Sequence, residues 1–147
     1  MRTVHVAWDP EAERFTASGT HPGQVITINA PHPSAEHSAT GFSATELLLA
    51  GAGACAAWDV VGILRKQRQD LVSLEVRVDG HQDEPPPHAY HRIGVHFRVT
   101  GRGLSQAGVE RAVRLSIDRY CSVIQTIRPH AEVEDSVEVL EMPAAAS

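Results

Sequence analysis

The stretch SATELLLAGAGACAAWDVVGILRKQR, residues 43–68, decides how the rest of the chain is organised. Ser43 followed by Glu46 matches the S-x-x-E capping box, in which each side chain satisfies a backbone N–H group of the first helical turn. Residues 47–58 then carry no charge, and the basic end at 65–68 suits the negative pole of a helix dipole. We therefore predict one long helix, apolar on all sides and buried by the remainder of the chain.

Small residues surround a cysteine in the middle of this helix. Gly51 and Gly53 precede Cys55, and each glycine costs a helix about 1 kcal/mol relative to alanine. Their presence indicates that another backbone packs closely against this part of the helix.

Length and charge restrict the class of protein. A chain of 147 residues with 42% apolar residues predicts a single domain, 1–147, with a proper core. The net charge of −5 gives no electrostatic argument for nucleic acid or an anionic membrane. The first ten residues lack an apolar signal-peptide core, and Asp59 interrupts a helix whose apolar part is short for a bilayer. We expect a cytoplasmic protein that binds neither nucleic acid nor membrane.

Alternating apolar and polar residues predict the strands. Residues 1–30 indicate short antiparallel strands, whereas 72–78 and 93–99 predict a pair of longer, half-buried strands. A second helix begins at Ser105 and is expected to reach Cys121, before a last strand near 133–139. Clustered strands without strict βαβ alternation favour the α+β class.

The chain has two cysteines, Cys55 and Cys121. In a reducing compartment such residues are free thiols or a redox pair more often than a structural disulfide. A thiol that reduces peroxide becomes a sulfenic acid, and a second cysteine protects it by closing a disulfide. Free cysteines are also among the most buried residues, so the pattern alone leaves both packing thiols and a redox pair open.

Two distant motifs resemble the OsmC/Ohr family of osmotically inducible and organic hydroperoxide resistance proteins. They are ELLLAGAGACAAWDVVGILRKQRQD at 46–70 and ERAVRLSIDRYCSV at 110–123, with paired strands between them. The chain is most similar to a less characterised OsmC-like branch of this family. The resemblance implies two antiparallel sheets around long central helices and an intertwined homodimer with active sites at the subunit interface.

The resemblance also implies a chemistry. Cys55 would correspond to the peroxidatic cysteine and Cys121 to the resolving one, in a thiol-dependent reduction that favours organic hydroperoxides. No metal or bound organic cofactor is implied, only an external dithiol reductant. The better known members hold the thiolate with an arginine and with a glutamate that would fall at Thr45. This chain has Glu46 instead, which we interpret first as part of the capping box and keep as a supporting candidate for the site. It has no arginine or lysine within 16–42.

Two further residues are candidates for the site. Asp59 follows Cys55 by four residues and therefore shares its helix face. Its carboxylate would either raise the thiol pKa or bond a group of the partner chain, and we favour the second because buried charges are usually paired. Tyr120 has an apolar body and a polar tip, which suit either a pocket wall or the core.

Other kinds of site lack support in the sequence. His32 and His37, and likewise His88 and His91, lie in predicted loops without the fixed spacing of zinc ligands, and no HExxH or CxxC motif occurs. Two alternatives to a peroxidase remain. One is a non-enzymatic dimer that binds a small apolar ligand or a partner, and the other is a thiol redox sensor with little peroxide turnover.

Overall fold

A computed structural model describes residues 1–21, 23–29 and 41–143. The predicted loop at 30–42, with His32 and His37, therefore lies almost wholly outside the described residues, as does the end of the tail. The elements, in chain order, are β1 His5–Asp9, β2 Arg14–Ser18, β3 Val25–Asn29, α1 Ala44–Lys66, β4 Asp70–Gln82, β5 Tyr90–Arg102, α2 Gln106–Leu115, a π-helical turn Ser116–Tyr120, α3 Ser122–Ile127 and β6 Glu132–Glu141. These helices and strands confirm the α+β class.

Contacts along the chain divide it into two compact units, Met1–Leu48 and Leu49–Ser147. The single domain over 1–147 stays a prediction. In the first unit, β1, β2 and β3 form an antiparallel sheet in that order, as the sequence predicts. Trp8 and Phe15 lie opposite each other on β1 and β2, with ring centroids 4.9 Å apart.

Helix α1 begins where the capping box predicts. The Ser43 N–H donates to Glu46 Oε2 at 2.8 Å, and the Glu46 N–H donates to Ser43 Oγ at 3.2 Å. This reciprocal pair lowers the pKa of Glu46, because the Ser43 amide and then its hydroxyl stabilise the carboxylate. Glu46 is thus confirmed as a residue of the helix start, and a supporting role of Glu46 in the site stays a prediction.

The expectation that α1 is buried on all sides is wrong for the single chain. Its buried residues form one stripe at helical spacing: Ala52, Gly53, Ala56, Val60 and Leu64. Trp58, on another side, is 76% exposed. By length and composition α1 is apolar enough to cross a membrane, but only 28% of the most apolar part is buried, so much apolar surface lies outside the core of this chain.

The two glycines of α1 differ in their surroundings. A Cβ built on Gly53 would lie 2.8 Å from Val78 Cγ2 of β4, whereas one built on Gly51 would meet nothing within 4 Å. The predicted close packing is therefore found at Gly53 and not at Gly51, and it is made by a side chain rather than by a backbone.

The second sheet is mixed, with the order β4-β5-β6. Strand β4 pairs with β5 antiparallel, but β5 pairs with β6 parallel. The expectation of two antiparallel sheets is therefore wrong for this one. The physical reason is the connection from β5 to β6, which runs through helices and so returns the chain to the start of the sheet, as parallel pairs require.

One face of this sheet forms the core with the helices. The central strand β5 buries every second residue, Ile93, Val95, Phe97 and Val99. They cluster with the buried stripe of α1 and with Val109, Ala112, Val113 and Ile117. Truncating a side chain such as Phe97 to alanine in a core of this kind costs about 3–5 kcal/mol.

The second helix is broken before Cys121. Ser105 caps α2 as predicted, since its Oγ accepts from the Gly108 N–H at 3.1 Å. The α-helix ends at Leu115, however, and the π-helical turn Ser116–Tyr120 follows. Cys121 then has an extended backbone, with φ −67° and ψ 102°, and serves as the N-cap of α3. The predicted continuous helix to Cys121 is therefore wrong, because the chain widens and restarts there.

Candidate functional site

The two thiols and one carboxylate meet on the inner side of α1. The Sγ atoms of Cys55 and Cys121 and a carboxylate oxygen of Asp59 all lie within 4.8 Å of one another. Cys55 and Asp59 lie on one face of α1, about one turn apart, and the restart of the chain before α3 brings Cys121 against them. Both cysteines are free thiols, and their sulfurs need to approach by at most about 3 Å before a disulfide of normal length forms.

Cys121 is fully buried. Its Sγ accepts a hydrogen bond from the Ile124 N–H at 3.4 Å and donates to the Ala52 carbonyl at 3.9 Å. Burial raises the pKa of Cys121 to about 11, against the effect of the Ile124 amide and reinforced by the neighbouring Cys55 sulfur. This sulfur is consequently held as a neutral thiol near neutral pH.

Cys55 is half-buried, and its pKa moves in the opposite direction. Burial opposes ionisation, but the Val123 amide, the Cys121 thiol and the Ser122 hydroxyl and amide together outweigh it and lower the pKa of Cys55. The Ser122 hydroxyl oxygen lies 3.8 Å from Cys55 Sγ. Among the residues that the structure describes, the groups that favour this thiolate are thus hydrogen-bond donors at the start of α3, not a cation.

Sequence reasoning missed Ser122 and Val123. It sought a cation near the thiol and expected a continuous helix through Cys121, in which the following amides would be used by intrahelical bonds. The sequence signal is weak: three apolar residues, Val123, Ile124 and Ile127, follow Cys121 at the spacing of a short helix, and the structure shows that Cys121 is the N-cap of this helix.

Asp59 is held by a residue of the π-helical turn. Ser116, which is fully buried, donates its hydroxyl to the Ala56 carbonyl at 3.0 Å, and the same hydroxyl lies 3.4 Å from Asp59 Oδ2. The predicted shared face of Asp59 and Cys55 agrees with this geometry. The favoured bond from Asp59 to a partner chain stays a prediction.

Tyr120 lies beside the site in an open groove of about 650 Å³. Its side chain is 57% exposed, so within this chain it is part of a groove wall rather than of the core. The groove and the thiol cluster share Asp59, although neither cysteine lines the groove. The residues that line it are Trp58, Asp59, Gly62, Ile63, Lys66, Gln67, Leu115 and Tyr120.

The histidines that were considered as metal ligands do not gather around a common centre among the described residues. His88 pairs with Glu84 at 3.7 Å in the exposed connection between β4 and β5. His91 pairs with Asp83 at 3.0 Å, but it belongs to β5 and not to the loop that the sequence predicts. The roles of Cys55, Cys121, Asp59 and Tyr120 in a reaction stay predictions, whereas their mutual placement is established.

Comparisons with known proteins agree with this fold. Residues 36–135 match the family described as OsmC-like protein. Protein YhfA of Escherichia coli (strain K12) is 44% identical over 98 residues, which cover 67% of this chain and 73% of that protein. A hypothetical protein from Aquifex aeolicus VF5 is 26% identical with a TM-score of 0.83, over 97% of this chain and 98% of that one.

Two more distant structures share the fold. The OsmC like protein from Mycoplasma pneumoniae has a TM-score of 0.80 at 17% identity, over 95% of this chain and 97% of that one. The organic hydroperoxide resistance protein OhrB of Bacillus subtilis has a TM-score of 0.65 at 18% identity, over 94% and 98%. The family match, the identity to YhfA and the shared architecture show that the chain belongs to the OsmC/Ohr family of OsmC-like proteins.

Proposed function

We propose that the protein is a cysteine-based peroxidase that reduces organic hydroperoxides through Cys55 and Cys121. The observation that carries the proposal is the pairing of a half-buried thiol of lowered pKa with a second thiol less than 4.8 Å away. Thiolates, not thiols, attack peroxides, so the acidic Cys55 is the nucleophile. Family members named for organic hydroperoxide resistance support the same substrate class.

The reaction has two steps within the protein. The Cys55 thiolate attacks the terminal oxygen of the hydroperoxide, the O–O bond breaks, and the alkoxide takes a proton and leaves as an alcohol. Cys55 is then a sulfenic acid. Cys121 attacks this sulfur, its proton and the hydroxyl leave as water, and a Cys55–Cys121 disulfide forms. An external dithiol reduces the disulfide by exchange and restores both thiols.

The charge of Cys55 determines when Cys121 becomes reactive in the second step, the formation of the disulfide. In the resting state the Cys55 sulfur helps to raise the pKa of Cys121, partly through its negative charge. A sulfenic acid is neutral, so its formation removes that contribution and makes Cys121 easier to deprotonate when it must attack. The Asp59 carboxylate, less than 4.8 Å from Cys121 Sγ, is the nearby group that can accept the proton.

The groove beside Tyr120 supports an alkyl substrate. Trp58, Ile63 and Leu115 give it apolar walls, and Asp59 connects it to the thiols. An alkyl group lying there would add burial of apolar surface to the binding of the peroxide group. Hydrogen peroxide has no such group, and we expect it to react more slowly.

We also propose that the chain works as a homodimer. The exposed Trp58 and Tyr120 and the largely uncovered apolar surface of α1 form a patch of the kind that marks interaction sites. We propose that a second copy of the chain covers this patch. A membrane is the poorer candidate, because Asp59 would place a charge within the apolar segment. Light scattering on the eluted protein measures its mass, and a monomer at micromolar concentration would contradict the dimer.

Counting thiols tests the peroxidase. The reduced protein is treated with one equivalent of cumene hydroperoxide, and free thiols are then titrated under denaturing conditions. We expect both thiols to be lost and a disulfide-linked peptide pair to appear in the mass spectrum. If both thiols survive, the proposal fails. A slow but reversible disulfide supports the redox sensor instead, and intact thiols with an apolar ligand bound support the binding protein.

A further inference from the structure

The thiol pair and Asp59 also have the composition of a metal site. We propose that the reduced protein binds one Zn²⁺ ion through Cys55 Sγ, Cys121 Sγ and an Asp59 carboxylate oxygen, and that oxidation of the two cysteines to a disulfide releases the ion. Thiolate sulfur and carboxylate oxygen are both ligands of zinc, and three protein ligands with a water in the fourth position make an open tetrahedral site.

The distances fit such a site. With zinc–sulfur bonds of about 2.3 Å and a zinc–oxygen bond of about 2.0–2.2 Å, tetrahedral ligand atoms lie roughly 3.5–3.8 Å apart. The three atoms here all lie within 4.8 Å of one another, so no pair needs to approach by more than about 1.3 Å to reach that spacing. Cys55 and Asp59 are fixed one helical turn apart on α1, and Cys121 is fixed by the packing of its buried sulfur.

Neighbouring groups already orient two of the three ligands, Asp59 and Cys121. The Ser116 hydroxyl lies 3.4 Å from Asp59 Oδ2 and is itself fixed on the Ala56 carbonyl at 3.0 Å. The Ile124 N–H donates to Cys121 Sγ at 3.4 Å. Such outer contacts hold metal ligands in place and tune their affinity, and here they include a fully buried polar side chain, Ser116.

The chemistry links the metal to the redox state. Zn²⁺ binds both sulfurs as thiolates, so it displaces the proton of Cys121 and any proton still held by Cys55, and its affinity rises with pH. A hydroperoxide that oxidises the two thiolates to the disulfide takes two protons from the solvent, yields an alcohol and water, and leaves sulfurs that no longer carry the negative charge of a ligand. The consequence for turnover rests on the proposed peroxidase: bound zinc would protect the thiols and slow the reaction, and strong oxidation would free the ion.

Two exposed histidines away from the thiols provide the control. His88 pairs with Glu84 and His91 with Asp83, and a neutral imidazole is the commonest metal ligand in proteins, so these side chains are where added zinc would bind adventitiously. The double variant His88→Ala/His91→Ala removes both imidazoles without altering the thiols or Asp59.

Cadmium titration tests the inference. The reduced, metal-free protein is titrated anaerobically with Cd²⁺, a soft ion that favours thiolates, while the ultraviolet thiolate-to-cadmium charge-transfer band is followed. Zinc affinity is then measured by competition with a chelator. We expect one equivalent per chain, loss of the band in Cys55→Ser and in Cys121→Ser, and no change in His88→Ala/His91→Ala. Asp59→Asn, which keeps the side-chain shape, should weaken zinc binding at least about tenfold.

Three results would overturn the inference: no charge-transfer band in the reduced protein, zinc binding lost with the histidines, or Asp59→Asn with unchanged affinity. Circular dichroism confirms that each variant is folded. The cumene hydroperoxide reaction is measured separately in the presence of a chelator. Thiols that react there but bind no cadmium contradict only the metal site, and thiols that bind cadmium but survive the hydroperoxide contradict only the peroxidase.

Discussion

Cys55 and Cys121 receive hydrogen bonds from the same helix start, yet their pKa values move in opposite directions. The amides of Ser122 and Val123 act on Cys55, and the Ile124 amide acts on Cys121. Cys55 is half-buried and more acidic than an ordinary cysteine, whereas Cys121 is fully buried and less acidic. Burial is the largest influence on both sulfurs, but the donors outweigh it at Cys55 and do not outweigh it at Cys121.

The largest effect on the reaction rate is expected from replacing each cysteine in turn by serine. Cys55→Ser should slow the reaction with cumene hydroperoxide by at least about a thousandfold, because a serine hydroxyl is a far weaker nucleophile than a thiolate. Cys121→Ser should leave this first step within about tenfold and stop at a sulfenic acid on Cys55, which dimedone traps. Stopped-flow kinetics and mass spectrometry measure both. Equal rates for the two variants would remove the proposed division of roles.

A smaller effect is expected from removing the donors of Ser122. Proline suits the first position of α3, because that N–H has no intrahelical partner and Cys121 before it is already extended. Ser122→Pro removes the amide and hydroxyl donors together, so the pKa of Cys55 should rise and its alkylation by iodoacetamide near neutral pH should slow about tenfold, the effect of one pKa unit on a small thiolate fraction.

Ser122→Ala is the matched control for that proline variant. It removes the hydroxyl and keeps the amide, and it should give an intermediate rate. An alkylation rate unchanged in both variants would mean that another group makes Cys55 acidic.

The smallest effect concerns the dependence of stability on pH. Because burial raises the pKa of Cys121 from 9.0 to about 11, the folded state favours the protonated thiol. The Cys121 thiol therefore contributes to the free energy of unfolding. This contribution is fully present below about pH 9 and is lost as the pH rises toward about 11. Urea unfolding should therefore show a steeper loss of stability over this range in the native chain than in Cys121→Ala. Parallel curves would contradict the raised pKa.

The sequence was a good guide wherever the determinants were local. The capping box at Ser43 and Glu46 placed the start of α1, and period-two alternation placed β4 and β5. The direction of β6 was not predictable in the same way, because it depends on the path of the helical connection before it.

In the site, too, the features with local determinants were predictable from the sequence and the others were not. Helical spacing put Asp59 on the face of Cys55, and the family resemblance paired Cys55 with Cys121. The donors of Ser122 and Val123 stayed hidden, because neither glycine nor proline marks the break between Leu115 and Cys121. Finding them requires the three-dimensional path of the chain.

The π-helical turn at Ser116–Tyr120 determines the direction in which Cys121 and the first amides of α3 point. Each residue of an α-helix advances the chain by about 100°, the angle that 3.6 residues per turn imply. Deleting a single residue here would therefore swing the Cys121 sulfur away from Cys55 and aim the α3 amides elsewhere, with every chemical group still present. The spacing between the two cysteines along the chain should accordingly tolerate substitutions far better than insertions or deletions.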